Sequence, residues 1–206
     1  MNILLLGATG RVGSGILSLA LQDGHAVTLL VRTPEKITRK DGLLTILQGN
    51  ALNEEDLALA SRGIDVVVSA LSTDGTTTLS GSIPLIIAAM HREGIKRIIT
   101  VGTAGILQSR TEPGRLRYQS SESKRRLTRA AEEHHKVYEL LNASDLDWTI
   151  VCPSYLPDGG STGIFRAEPD YLPEGGTQLS VGDAALFTYR QIATKDYIRS
   201  RVGVVY

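Results

Sequence analysis

An α/β fold built on a doubly wound parallel sheet, with helices on both faces, is predicted by three features of the chain. The first thirteen residues read as a strand, a glycine-rich turn and the start of a helix. Runs of strand length then alternate with stretches of helical spacing as far as residue 152, so successive strands are joined by right-handed crossovers rather than hairpins. The strands themselves are continuous apolar, β-branched runs, the pattern of strands buried on both faces.

Asn2 to Leu6 is the first strand, and Gly7, Gly10 and Gly13 follow at intervals of three. Val12, Ile16, Leu19 and Ala20 then form a helical stripe that Asp23-Gly24 closes. Ala26 to Val31 is strand two, ending at Arg32, with a short helix or turn near Pro34. Leu43 to Gln48 reads as strand three, Glu54 to Ser61 as a helix, and Asp65 to Ala70 as strand four around Val66-Val67-Val68. Ile83 to Arg92 is a helix ended by Gly94, and Lys96 to Val101 is strand five. Residues 103–119 are polar and irregular, after which Ser120 to Asn142 resumes helical spacing through Leu127, Ala130, Ala131, Val137, Leu140 and Leu141. Asp147 to Cys152 is strand six. Residues 153–176 are dense in Gly and Pro and break the alternation. Ile164 to Ala167 and Gln178 to Val181 are expected to pair as a ribbon, Asp183 to Thr194 to be a helix, and Val202 to Tyr206 a last strand. Residues 103–119 and 153–181 are the irregular segments, the second forming a small substrate lobe near the C-terminus.

The 206 residues suit one domain, and no repeat, low-complexity tract or linker divides them. Lys plus Arg and Asp plus Glu each number 22, so no net field points to nucleic acid or an anionic membrane. Cys152 is the single cysteine, which excludes a disulfide framework and reads as a core residue. The chain starts directly on a strand, and no apolar run approaches the roughly 18 residues of a membrane span. A cytoplasmic protein acting on a small molecule is the expectation, as a monomer or homodimer and without a metal.

The chemistry centres on Gly7 to Gly13. Glycines at such a turn let backbone amides, here those of Thr9, Gly10, Arg11 and Val12, approach a pyrophosphate at the positive end of a helix. The Thr9 hydroxyl adds a contact. Their spacing is wider than the common dinucleotide fingerprint, so the partner position after strand two carries weight. An acid there accepts the ribose hydroxyls of NAD, whereas a cation matches the extra phosphate of NADP. Arg32 occupies it and Lys36 follows, so NADP is favoured over NAD unless Arg32 merely faces solvent. Asn50, with Ala51, lies where an adenine edge would sit, while Asn53 suits a helix cap. Ala70-Leu71 after strand four and Thr103 after strand five stand at the carboxyl ends of the sheet, where ligands collect in such folds. Thr103 is either a ligand hydroxyl or a cap for its own loop.

Gly-Ala-Thr-Gly-Arg-Val-Gly, Leu-Val-Arg after strand two, Gly-Asn-Ala after strand three and Leu-Asp-Trp-Thr-Ile-Val-Cys-Pro at strand six resemble the atypical short-chain dehydrogenase/reductases, nearly end to end. Within them the chain is similar to the NmrA-like biliverdin reductase B / NAD(P)H-flavin reductase group. The resemblance implies a Rossmann-like fold and NADP held through Gly7, Thr9, Gly10, Val12, Gly13, Arg32, Lys36, Asn50, Ala51, Leu71, Thr103, Pro153 and Tyr155. Asn50 replaces the family's usual Asp. Asp183, in Leu179-Ser180-Val181-Gly182-Asp183, supports structure in this reading.

Typical short-chain dehydrogenases carry a Tyr and a Lys four residues apart, the Lys lowering the Tyr pKa for proton exchange with an alcohol or ketone. Here Tyr118 is followed by Glu122 and Tyr138 by Asn142, and the family's slots register on Ala131 and His135. The absence of the pair points to acceptors that take hydride without it: flavins, quinones or linear tetrapyrroles. Thr103 and Tyr155 are the expected orienting residues, with His135 a further candidate for proton donation unless His134 and His135 simply lie on a solvated face beside Glu132 and Glu133. The function expected is an NADPH-dependent reductase of a planar acceptor. A non-catalytic NADP(H)-binding redox sensor is the alternative, and a nucleotide-sugar epimerase or dehydratase comes third. A basic cluster at Arg115, Arg117, Lys124, Arg125, Arg126 and Arg129 reads as a solvated helix face.

Overall fold

Alternate residues of each central strand feed opposite faces of one sheet, and helices cover the two apolar surfaces that result. The computed structural model of the chain describes residues 1–73, 75–123 and 127–206. Lys124, Arg125 and Arg126 of the basic cluster lie outside the described residues. Eight strands form the sheet: β1 (Asn2–Leu6), β2 (Ala26–Val31), β3 (Leu44–Gln48), β4 (Val66–Ser69), β5 (Arg97–Val101), β6 (Asp147–Pro153), β7 (Arg166–Pro169) and β8 (Ser200–Val205). Their order is β3-β2-β1-β4-β5-β6-β8-β7, parallel throughout except for β7, which runs antiparallel to β8. The chain winds outward from β1 to β3, then crosses to the other side of β1 for β4. This reversal opens a crevice at the carboxyl ends of β1 and β4, the ligand position of a Rossmann-like sheet.

On β1, Leu4 and Leu6 face helices α2 (Glu54–Ala60), α3 (Thr78–Glu93) and α4 (Arg129–Ala143), packing with Leu57, Ile83, Ile86, Met90, Val137 and Leu141. Ile3 and Leu5 face α1 (Arg11–Gln22) and α5 (Val181–Arg190), packing with Ile16, Leu17, Ala20, Ala184 and Phe187. All four β1 residues are fully buried, and burial of each side chain contributes about 1.5–3 kcal/mol. Cys152 lies in the first of these cores, where burial pushes its thiol up to about 12. No helix among the described residues is long and apolar enough to cross a membrane.

The helix expected from Ile83 begins five residues earlier, at Thr78. Thr, Ser and Gly disfavour that extension locally, but Glu133 on α4 accepts from the Ser80 hydroxyl at 2.7 Å and lies 3.4 Å from its amide, placing a carboxylate at the positive end of α3. The expected helix from Ser120 instead starts at Arg129. Glu122 explains the loop before it: its carboxylate accepts from the Thr111 amide at 2.9 Å and the Ser109 hydroxyl at 2.8 Å, and pairs with Arg117. The expected ribbon does not form. Arg166 to Pro169 pairs instead with the edge of β8, in the register Arg166 to Val205, while Gln178 bridges Tyr155 and Val181 opens α5. Ser180 is needed as the α5 cap, its hydroxyl accepting from the Asp183 amide at 3.1 Å, which draws this segment out of any ribbon. That helix ends at Arg190, four residues short of the expected Thr194.

Candidate functional site

A cavity of about 390 Å³ lies along the carboxyl ends of the strands. Its walls follow the sheet order: Gly49 to Ala51 beyond β3, Arg32 and Thr33 beyond β2, the Gly7 turn beyond β1, Ala70 to Thr73 beyond β4, Val101 and Gly102 at β5, and Leu156 beyond β6. Thr78 at the start of α3 and His134 on α4 complete it.

The glycines of the turn answer to close packing of backbone. Gly7 has φ of +81°, and a Cβ there would lie 2.4 Å from the Ala70 carbonyl oxygen. At Gly13, buried beneath the turn, a Cβ would lie 2.2 Å from the Gly7 carbonyl oxygen. The first therefore lets β1 turn against the end of β4, and the second lets α1 start directly over that turn. Gly10 donates its amide to the Gly7 carbonyl at 3.0 Å, so of the amides expected to face an anion this one is engaged within the turn. The first turn of α1 has neither a capping side chain nor an acidic residue. Elsewhere this chain does cap: the Asn53 side-chain oxygen accepts from the Asp56 amide at 2.9 Å at the start of α2. An uncapped, positive helix end opening into a cavity is an arrangement that receives anions.

Among the described residues that line the cavity, the charged side chains are cationic. Arg11, Arg32 and Lys36 line it, and no Asp or Glu does so among the described residues. Arg32 and Lys36 are exposed, the first at the end of β2 and the second closing the short helical turn Pro34–Lys36 that follows. Arg11 reaches across the opening, donating to the Leu156 carbonyl at 3.1 Å and to Asp158 at 2.8 Å. Asn50 Oδ1 accepts from the Leu52 amide at 3.0 Å, which leaves its amide nitrogen as the group that a ligand edge would meet. Among the described residues no three His, Cys, Asp or Glu side chains gather as a metal requires.

The structure therefore brings together Gly7, Thr9, Gly10, Arg11, Val12, Arg32, Lys36, Asn50, Ala51, Ala70 and Leu71 on one cavity wall. Gly13, Thr103, Pro153, Tyr155 and His135 are not on it. The Thr103 hydroxyl accepts from the Gly105 amide, at a long 3.4 Å, as a cap on its own loop. Pro153 is buried at the end of β6. Tyr155 is 61% exposed and its carbonyl accepts from the Leu179 amide, the chain presenting Leu156 to the cavity instead. His135 Nδ1 lies 3.1 Å from the Tyr118 hydroxyl, its ring stacked on Tyr138.

The histidine that reaches the cavity is His134, whereas the sequence points to His135 as the candidate proton donor. Helical spacing contained the signal: His134 precedes Val137 by three and Leu141 by seven, so it continues the buried stripe of α4. Burial, opposed in part by Glu133, pushes its imidazole down to about 4. It is neutral across the physiological range.

The lobe beside Leu156 is held by Asp183 on α5. Its carboxylate accepts from the Ser161 hydroxyl at 2.8 Å, the Thr162 amide at 2.9 Å and hydroxyl at 2.7 Å, the Gly163 amide at 2.8 Å and the Tyr206 hydroxyl at 2.7 Å. Burial raises its pKa, but the donors from Tyr206, Gly163, Thr162 and Ser161 outweigh this and hold it at about 2. Asp183 is thus a structural anchor.

Residues 7–195 match the NAD(P)H-binding family model. Among curated proteins, the chain is 26% identical over 217 residues to the uncharacterized protein YwnB of Bacillus subtilis, covering 100% of this chain and 98% of YwnB. It is 29% identical over 182 residues to the uncharacterized sugar epimerase YhfK of the same organism, covering 82% of this chain and 79% of YhfK. Among solved structures it superposes on a Rossmann-fold NAD(P)-binding family protein from Shigella flexneri with a TM-score of 0.76 and 26% identity, over 98% of this chain and 92% of that one.

Proposed function

The chain belongs to the NAD(P)H-binding family, and from that premise we propose that it is an NADPH-dependent reductase that passes hydride directly to a flavin, a quinone or a similar planar acceptor. The observation that carries the choice of cofactor is the pair Arg32 and Lys36 lining the cavity just past β2, at the position where an acid would take the ribose hydroxyls of NAD. A guanidinium presents a planar fork to a phosphate, and the added phosphate of NADP is what distinguishes it from NAD at that end. The uncapped start of α1 suits the pyrophosphate, and the cavity then runs past β4 and β5, where the nicotinamide would rest.

The nicotinamide supplies the hydride. This chain's own contribution is to hold donor and acceptor at contact distance and to keep solvent from the ring, a proximity effect. The sequence has no Tyr and Lys in the family's positions to exchange a proton with a ketone or alcohol, which supports a conjugated acceptor whose last proton comes from water.

The reading is tested by mixing the purified protein with NADPH and, in turn, riboflavin, FMN and a benzoquinone. Acceptor-dependent loss of the reduced-nicotinamide absorbance is expected with at least one. Tight NADPH binding with no oxidation by any of them would instead mark the redox-sensor alternative. The epimerase reading that YhfK's name raises predicts binding of a nucleotide sugar and turnover with no net oxidation of the cofactor.

A further inference from the structure

Five consecutive residues of α4, Glu132 to Lys136, bear ionisable side chains, and four of them are committed to protein partners, Glu132 accepting from the Thr128 hydroxyl at 2.6 Å. Glu133 takes Ser80 and the Lys136 ammonium, the latter at 2.9 Å, and His135 takes the Tyr118 hydroxyl. His134 has no hydrogen-bond or ion-pair partner among the described residues, although it is half-buried on the side of the helix that carries Val137 and Leu141 and lines the cavity. Leu71, Thr73, Thr78 and Gly102 line the same half, and among the described residues His134 is the one imidazole or charged side chain contributed there from α3, α4 and the ends of β4 and β5. Neither ring nitrogen is among the fully buried atoms that lack a partner, so the half-buried ring opens on the cavity, where a ligand can meet it.

We propose that His134 is the acceptor-binding residue, its neutral imidazole donating one N–H to a carbonyl oxygen or ring nitrogen of a planar conjugated molecule laid against the nicotinamide. This rests on the reductase reading and adds the group that selects the acceptor. Burial supports it by keeping the ring neutral, so that it acts as a hydrogen-bond donor and not as a source of protons. In the transfer, the C–H bond at C4 of the dihydronicotinamide breaks and its two electrons form a new bond from hydrogen to an electron-poor ring atom of the acceptor. The nicotinamide is oxidised, the acceptor becomes a reduced anion, and water supplies the proton that neutralises it. The heteroatom held by His134 is where the negative charge accumulates, so its N–H interaction strengthens as hydride moves. Acceptors without a hydrogen-bond-accepting heteroatom at that edge are disfavoured.

The test compares His134→Leu, which removes the donor, with His134→Gln, which keeps one. NADP+ affinity and thermal midpoint establish that each variant is folded with an intact cofactor site. Riboflavin is titrated into the NADP+-saturated proteins by quenching of its fluorescence, and NADPH turnover with riboflavin is measured separately. The expected result is roughly tenfold or greater loss of riboflavin affinity and of kcat/KM in His134→Leu, the size of one hydrogen bond, with most of both restored in His134→Gln. Unchanged riboflavin affinity in His134→Leu, or no riboflavin binding by the wild type, overturns the assignment. A wild type that binds riboflavin through His134 but never oxidises NADPH overturns the reductase reading and leaves the assignment standing.

Discussion

Asp183→Ala is expected to release the lobe that flanks the cavity. The carboxylate is fully buried and accepts from two backbone amides, those of Thr162 and Gly163, and from the hydroxyls of Ser161, Thr162 and Tyr206. Alanine leaves both amides without an acceptor, at about 1–3 kcal/mol each, and the hydroxyls recover part of their loss by turning to water or to one another. The sum is a destabilisation of about 4 kcal/mol. For a chain of this length each kcal/mol lowers the midpoint by about 2–4 °C, so a fall of roughly 8–16 °C is expected in a thermal melt. The ionisation adds a second signature. A carboxyl held at about 2, below its ordinary value, contributes roughly 2 kcal/mol that is fully present above the ordinary carboxylate range. That contribution is lost as pH falls through the native value, so the stability difference between wild type and Asp183→Asn should shrink between about pH 4 and pH 2. Hydrogen exchange at Thr162 and Gly163 reads the site locally, and both amides should lose protection in Asp183→Ala. A variant within about 1 kcal/mol of wild type with those amides still protected would refute the reasoning.

Arg32→Asp should weaken NADPH by about 10- to 100-fold, the worth of a charge-assisted pair, while changing NADH little; equal losses in an equilibrium titration would remove Arg32 from the phosphate site. Gly13→Ala places a methyl 2.2 Å from the Gly7 carbonyl oxygen, so α1 must move off the turn; a loss of about 2–3 kcal/mol in urea unfolding is expected, with NADP binding abolished. Cys152, buried and pushed up to about 12, should resist a thiol reagent in the native protein and react only on unfolding; stoichiometric modification of the native protein would contradict that burial.

Central strands and the turn after β1 are legible in the sequence because burial on both faces demands unbroken apolar runs, and close backbone approach demands glycine. The edges of the architecture are not. The early start of α3 depends on Glu133, 53 residues away in sequence, whose carboxylate serves the first turn. Pairing of Arg166 to Pro169 with β8 depends on which edge is open, and period-2 pattern does not encode that. In the site, residues that follow strands directly are found from position alone, as with Arg32, Asn50 and Leu71. His134 was obscured because a family register pointed to His135, whereas the stripe through Val137 and Leu141 marks the inward face of α4 without reference to any family. Thr103 and Tyr155 sit one step beyond the cavity wall, the first turned into its own loop and the second outward, both decided by loop conformation that local sequence leaves open.

The most direct measurement is a single turnover of the NADPH-loaded protein with a benzoquinone or riboflavin, run in parallel with NADPH deuterated at C4. Direct hydride transfer predicts rapid oxidation that slows measurably with deuterium. Oxidation at the same rate with both forms, or none with a protein that binds NADPH tightly, would contradict a reductase in which the cofactor delivers hydride to the acceptor.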